Sequence, residues 1–375
     1  MRSAGRPVVI AGGGTAGHIL PGLAIASALV EEGLDPRRLW WIGAQRGQEA
    51  RLVTGMDVTL LGGRGVQRRV TPANFAAVAG LLGALGRAVW LIGRRRPAVV
   101  LSLGGYASVA ASLGAVLWRV PLVVAEQNAV PGLANRIVGR FATACAVPFD
   151  GVGLPRAVRC GNPVRAEVLA ARSATADGRP AVRSLAKPEV GFPPDRVAVV
   201  AFAGSLGSRR INEAVHSLAE RWADRGDVYI HHVIGRRDFD SFEPPALGPD
   251  AALEYRMVSY EDRMPAILKA ADLVVSRSGG TTVAELSVVG VPAVLVPLPI
   301  APGDHQRHNA AALVAEHGAI LIDDDRLTGE RLDAELSPLL DDPDRREAMA
   351  AAAWRIGVPD AARRVARLVL EAADR

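Results

Sequence analysis

Three times along this 375-residue chain, a short apolar run breaks into a glycine-rich turn that opens a helical stretch. The first is VVIAGGGTAGHILP (Val8–Pro21), the second VAVVAFAGSLG (Val197–Gly207) and the third LVVSRSGG (Leu273–Gly280). A strand that enters a helix through glycines leaves the helix's first N–H groups without acceptors, and no Cβ keeps a ligand away from them. Anions collect at such ends. Between the turns, Val/Ile/Leu runs alternate with alanine-rich stretches, which predicts an α/β architecture of doubly wound parallel sheets. The strand candidates are Val8–Ile10, Leu39–Ile42, Val99–Leu101, Leu122–Ala125, Ala144–Val147, Val197–Ala203, Val228–Val233, Leu273–Ser276 and Ala293–Val296. The continuous apolar character of Val197–Phe202 suits a sheet covered on both faces. After the first turn, Pro21 is expected to open a helix over Gly22–Glu32 that stops at Gly33.

The length suits two domains, and a hydrophobic content of 49% excludes a disordered chain. Arg172–Arg196, rich in Ala, Ser, Pro and Gly without periodicity, reads as a loop near a domain boundary. The expected division is therefore a Rossmann-like domain over 1–163, joined by a C-terminal helix at about 355–375, and a second over 164–354, with a hinge near Gly161–Arg165. The tail from Arg345 reads as helical, with Asp360 capping a last helix that carries Val365, Leu368 and Val369 on one face. The two cysteines, Cys145 and Cys160, fit no metal spacing and suit a reducing compartment. The basic start Met1–Arg6 runs into GGGTAGH with no continuous apolar core, so a secretion signal is not expected and the reading is cytoplasmic.

Lys plus Arg number 44 against 39 acids, a net charge of +5, and only Lys187 and Lys269 are lysines. That balance favours an anionic partner. Dispersed arginines and an aromatic content of 5% speak against nucleic acid. A membrane surface suits one segment. Phe75–Gly86 is strongly apolar, and Arg64, Arg68 and Arg69 precede it while Arg94, Arg95 and Arg96 follow. Arg87 and three glycines interrupt it before the ~20 apolar residues that a spanning helix needs. Phe75, Leu81, Leu82, Leu85 and Trp90, rimmed by Arg94, Arg95 and Arg96, form a candidate patch for an anionic membrane.

Gly12, Gly14 and Gly17 match the dinucleotide fingerprint, yet the second strand ends in Gly43-Ala44-Gln45, and Glu49, the next acid, is too far on to hold a ribose. Nicotinamide binding is not expected. Gly204-Ser205-Leu206-Gly207 suits a diphosphate, with Ser205 adding a hydroxyl donor. Ser278-Gly279-Gly280-Thr281-Thr282 opens another helix and sets Glu285 one turn inside, where a carboxylate can accept from a ribose diol or simply favour the helix dipole. Asp304, His305, Gln306 and Asn309 crowd a loop beyond a strand, although Asp304 and His308 also suit helix caps. Asp238-Phe239-Asp240 and Asp323-Asp324-Asp325 have the DxD form of metal-dependent sugar transferases, but neither adjoins a glycine turn, and no metal is expected.

Taken together, AGGGTAGHILPGLA (11–24), LGGYAS (103–108), EQNAVPG (126–132), GNPVR (161–165), GSLGSRRIN (204–212), SRSGGTTVAEL (276–286) and DHQRHNA (304–310) resemble the MurG family in order and spacing. These are bacterial transferases that add N-acetylglucosamine to the lipid-linked muramyl-peptide precursor of peptidoglycan. The resemblance implies a two-domain GT-B glycosyltransferase that inverts the anomeric centre without a metal or other cofactor. It implies UDP-N-acetylglucosamine in the C-terminal domain, with Arg165, Ser205, Gly280, Thr281, Thr282, Val283, Ala284, Glu285 and Gln306 at the donor and backbone near Tyr260–Arg263 at the uracil. Thr15, Ala16, Gly17 and Asn128 would face the donor's sugar and diphosphate across the cleft. His18, Tyr106, Glu126 and Gln127 would line the side of the lipid acceptor. The implied setting is peripheral, on the cytoplasmic face of the cell membrane, among cell-wall synthesis and division proteins. Ala16, Ala203 and Ala125 depart from the family pattern, and a methyl group at 125 rules out catalysis there.

Transfer requires the acceptor C4 hydroxyl to lose a proton as UDP leaves. Histidine, with an ordinary pKa near 6.5, suits that task, so His18 is the expected base and Glu126 its alternative or its orienting partner. Helix N-termini at Ser205 and Gly280, with Arg165, would take up the charge of the departing diphosphate. Other GT-B lipid glycosyltransferases, a UDP-sugar epimerase and a non-catalytic UDP-sugar sensor are the alternative readings, and turnover with a muramyl-lipid acceptor separates them.

Overall fold

Val8–Ala11, Val99–Ser102 and Leu122–Ala125 are buried along their whole lengths, as strands covered on both faces must be. The computed structural model describes residues 5–45, 49–62, 72–204 and 207–375, without the side chains of 72–79 and Leu81. Arg64, Arg68, Arg69, Ser205 and Leu206 lie outside the described residues, as do the side chains of Phe75 and Leu81. The chain divides into two compact units, Met1–Arg165 with Val358–Arg375, and Ala166–Gly357.

The first unit holds β1 (Val8–Ala11), β2 (Leu39–Ala44), β3 (Asp57–Leu61), β4 (Val99–Ser102), β5 (Leu122–Ala125), β6 (Ala144–Val147) and β7 (Ala157–Arg159). They form one parallel sheet in the order β3-β2-β1-β4-β5-β6-β7, with Val8 in register with Leu39 on one side and Val99 on the other. The second unit holds β8 (Val197–Phe202), β9 (Val228–Val233), β10 (Glu254–Val258), β11 (Leu273–Ser276), β12 (Ala293–Leu295) and β13 (Ala319–Leu321), ordered β10-β9-β8-β11-β12-β13. Strand order reverses between β1 and β4, and again between β8 and β11. In open α/β sheets the ligand crevice lies outside the carboxyl ends of the strands at that reversal.

All nine expected strands are present. Four more, β3, β7, β10 and β13, are the four sheet edges. The first helix runs Ala16–Glu31 and contains Pro21, rather than starting there. Proline's fixed φ suits a helix, and only the hydrogen bond toward the Gly17 carbonyl is lost. Much of the expected loop 172–196 is the helix Arg179–Val190. Its Arg179, Arg183 and Lys187 recur every four residues and are buried. Arg183 Nε and Lys187 Nζ meet the buried Asp272 carboxylate at 2.7 and 2.8 Å, while Arg179 reaches Glu347 at 3.2 Å. A cationic stripe thus does the work that an apolar stripe normally does.

The last helix, Ala361–Ala373, packs Val365, Ala366 and Val369 into the core of the first unit with Val8, Ile10, Ile25 and Leu29. Asp360 sits at its N-cap, but the carboxylate takes Arg364 at 2.9 Å and accepts no helix amide.

Candidate functional site

In the first unit, the β1 and β4 turns meet. Gly13 and Gly14 have φ of +151° and +92°, and Gly104 and Gly105 have +101° and +84°. A Cβ on Gly105 would stand 3.0 Å from the Gly13 carbonyl, and one on Gly104 would stand 3.3 Å from His18 Nε2 and 3.5 Å from Asn135 Nδ2. Only glycines allow the two turns and the histidine ring to close up in this way. His18 lies in the first turn of its helix, and its Nδ1 is 3.3 Å from Thr15 Oγ1. Burial holds its pKa below the ordinary 6.5, opposed by Glu126, by the Gly13 backbone and by Glu49. The ring is therefore neutral at pH 7 and has a lone pair to offer.

Glu126 is buried and saturated with donors. Its Oε1 accepts from Gln127 N at 3.0 Å, Asn128 N at 2.9 Å and Asn128 Nδ2 at 3.1 Å. Its Oε2 accepts from Gly132 N at 3.0 Å and Asn135 Nδ2 at 2.9 Å. A carboxylate so engaged shapes the 126–132 loop; as a proton acceptor it is a poor choice, which corrects the expectation of Glu126 as alternative base. Gln127 is buried, with Nε2 on the Ala125 carbonyl at 2.9 Å, and its Oε1 has no partner among the described residues. Tyr106 Oη donates to the Leu61 carbonyl at 2.8 Å, which ties the β4 turn to β3. Asn135, which sequence reasoning missed, joins Glu126 to the His18 neighbourhood. The signal was its place three residues beyond Gly132.

In the second unit, a cleft of about 630 Å³ opens at the carboxyl ends of β8 and β11. Gly204, Ser208, Arg210, Arg277, Thr282 and Gln306 are among its lining residues. Gly207 has φ of +78°, and a Cβ there would stand 2.0 Å from the Ile234 carbonyl. The helix Gly280–Val289 begins at this cleft with Gly279 as its N-cap and no capping side chain, so its first amides are free for an anion. Thr281, Ala284 and Glu285 are half-buried in its first turns. The Val283 side chain is in the core and can offer a ligand only its backbone. Gln306 Oε1 accepts Leu298 N at 3.0 Å, which leaves its amide N–H groups uncommitted.

Arg277, also missed, is the strut of this cleft. It donates to Ser208 Oγ at 2.7 Å and the Pro297 carbonyl at 3.1 Å, and it pairs with Asp324 at 2.6 Å. Behind the β8 turn, Asn212 Nδ2 donates to the Ile234 carbonyl at 3.0 Å while His232 bridges Asn212 and Tyr255. Burial pushes His232 down to about 3, so that bridge stays neutral. At 260–263, Arg236 lies 3.9 Å over the Tyr260 ring, and Arg263 N donates to Glu261. Three of the acids in the two DxD stretches are engaged by arginines: Asp238 by Arg237, Asp323 by Arg307, and Asp324 by Arg277 and Arg210.

Thr15, Ala16, Gly17, Asn128 and the half-buried Arg165 belong to the first unit, and Gly280–Glu285 and Gln306 to the second. Of the surface residues, Leu82 and Trp90 are 62% and 57% exposed on the helix Pro72–Arg95. Leu85 instead packs on the core. Arg94 lies over Trp90, while Arg96 stacks on Trp118. Arg95 stays exposed, its guanidinium over Trp40 and paired with Asp57. Exposed Leu117, Leu133, Ile137 and Phe141 are on the same unit. Among the described residues, no helix is long and apolar enough to cross a membrane.

Residues 8–147 match the glycosyltransferase family 28 N-terminal domain and 198–365 its C-terminal domain. The chain is 40% identical to a UDP-N-acetylglucosamine--N-acetylmuramyl-(pentapeptide) pyrophosphoryl-undecaprenol N-acetylglucosamine transferase of Mycobacterium avium, over 97% of this chain and 88% of that protein. It is 36% identical to the transferase of the same name from Desulforudis audaxviator, over 94% and 95%. Among solved structures, Acinetobacter baumannii MurG superposes with a TM-score of 0.73 at 25% identity, over 97% of this chain and 98% of that one. The calicheamicin glycosyltransferase CalG4, at 0.66 and 16%, over 100% and 99%, shares the fold.

Proposed function

The chain belongs to the MurG family of N-acetylglucosamine transferases, within glycosyltransferase family 28, and from that premise we propose how its own residues carry out the transfer that turns lipid I into lipid II. UDP-N-acetylglucosamine binds in the cleft of the second unit, its diphosphate on the amides that begin the helix at Gly280 and on the β8 turn, with Thr282 and Gln306 as neighbouring donors. Glu285 accepts from the ribose diol. The muramyl sugar and its diphosphate bind at the β1 and β4 turns of the first unit, beside His18 and Tyr106.

His18 takes the proton of the C4 hydroxyl. The oxygen lone pair forms the bond to C1 of the donor sugar while the bond from C1 to the diphosphate oxygen breaks, and UDP leaves with that electron pair. One displacement inverts C1. The charge on the leaving group falls on helix-end amides and arginines, so no metal is required. The observation that carries this reading is the half-buried, neutral His18 held between two glycine turns at the strand-order reversal. Leu82, Trp90, Arg94 and Arg96, with the apolar side chains near Leu133, rest the first unit on the anionic cytoplasmic face of the membrane, where the lipid acceptor is presented.

A transfer assay with radiolabelled UDP-N-acetylglucosamine and a water-soluble acceptor analogue tests the reading. His18→Ala should lower kcat at least ~100-fold and leave UDP affinity within about twofold. Near-normal turnover in that variant removes His18 as base.

A further inference from the structure

Glu49, which stands too far from β2 to serve a ribose, is fully buried beside the first glycine turn. It opens the short helix Glu49–Leu52. Its Oε1 accepts the Gly14 amide at 3.0 Å and the Ala44 amide at 2.6 Å. The backbone is shaped around it. A Cβ on Gly13 would stand 1.7 Å from Oε1, and one on Gly43 would stand 2.8 Å from Cγ. Oε2 has no hydrogen-bond partner among the described residues, and neither has the buried Nε1 of Trp41 beside Gly43. An amide oxygen could accept the same two N–H groups without the cost of burying a charge, so the geometry of the turn alone does not call for a carboxylate. The charge has a neighbour that can use it: burial lowers the proton affinity of His18, and after Glu126 and the Gly13 backbone, Glu49 is the further group that raises it.

We infer that Glu49 is a positioning residue for the transfer: it locks the first glycine turn with His18 turned toward the acceptor, and it sets negative charge near the imidazolium that forms when His18 accepts the hydroxyl proton. Glu49 itself takes no proton and touches no reacting atom. The inference rests on His18 being the base.

Glu49→Gln, Glu49→Ala and His18→Ala in the full chain, assayed with the same labelled donor and soluble acceptor across the histidine titration range, test it. Glu49→Gln should keep the Tm and the KM for UDP-N-acetylglucosamine, lose about tenfold in kcat, and move the acid limb of the kcat profile to lower pH. Glu49→Ala should lose about 100-fold in kcat. Should Glu49→Ala fail to fold, Glu49→Gln decides, because it keeps the accepting oxygen. An unchanged kcat and limb in Glu49→Gln, with turnover abolished in His18→Ala, overturns the inference and leaves the base reading standing. A lower kcat with an unmoved limb also overturns it, since a purely structural carboxylate would behave so. Normal turnover in His18→Ala brings down the base reading and this inference with it.

Discussion

Replacing Glu126 with glutamine separates a loop organiser from a base. The carboxylate receives five N–H groups, three on Oε1 and two on Oε2. Glutamine can place its oxygen at only one of these positions; its NH2 then faces donors at the other, where nothing can accept it. The smaller loss, at Oε2, is two hydrogen bonds to a charged group, each worth about 1.5–3 kcal/mol, and Glu126 is too buried for water to replace them. The destabilisation should be about 3–6 kcal/mol, a fall in Tm of roughly 6–24 °C for a unit of this size. Thermal denaturation followed by circular dichroism reads the first effect, and the transfer assay well below the variant's Tm reads turnover. Both should fall, because the loop that orients Asn128 and Asn135 is released. Were Glu126 the base, the isosteric change would abolish turnover and leave the melt intact. A Tm within about 2 °C of the parent, with kcat gone, refutes the reasoning.

Because burial lowers the His18 pKa below 6.5, the base is in its active, neutral form throughout the neutral range. Turnover should be flat around pH 7 and fall only as pH drops through the lowered value; an acid limb centred above 6.5 would contradict the burial of the ring. Asp272→Asn leaves Arg183 and Lys187 buried against a neutral partner and should cost the second unit about 3–5 kcal/mol, read as a lower urea midpoint. An unchanged midpoint would mean that the cationic stripe is solvated. Leu82→Glu with Trp90→Glu should weaken binding to anionic liposomes in a sedimentation assay and spare turnover on a soluble acceptor; equal binding by parent and variant would remove this helix from the membrane surface.

How much of this the sequence discloses depends on how local the cause is. The nine strands visible in it are interior to their sheets, where both faces are covered and the apolar run is unbroken. The four that escape notice are the edges. β7 is exposed at all three residues and β10 alternates toward solvent, so neither carries the hydrophobic signature. The helix Arg179–Val190 hides for a related reason: its buried face is written in arginine and lysine, and the acids that make it apolar in effect, Asp272 and Glu347, come much later in the chain. At the site, glycine turns and the histidine are legible because turn and helix end are local events. Arg277, Asn135 and Glu49 gain their roles from partners on other segments of the chain. Pattern reading along one segment does not reach them.

The helix Ala361–Ala373 belongs to the unit that is begun before the other, since its Val365 and Val369 sit among residues of β1 and of the helix that follows it. Until those residues emerge, that side of the sheet has the helix Ala16–Glu31 but lacks the rest of its cover, while the whole of the intervening unit is translated. At roughly 5–20 residues per second that interval lasts about 10–40 s. The unit begun earlier is thus the later of the two to be completed, and its wait for a covering segment is the window in which a nascent-chain chaperone has something to hold.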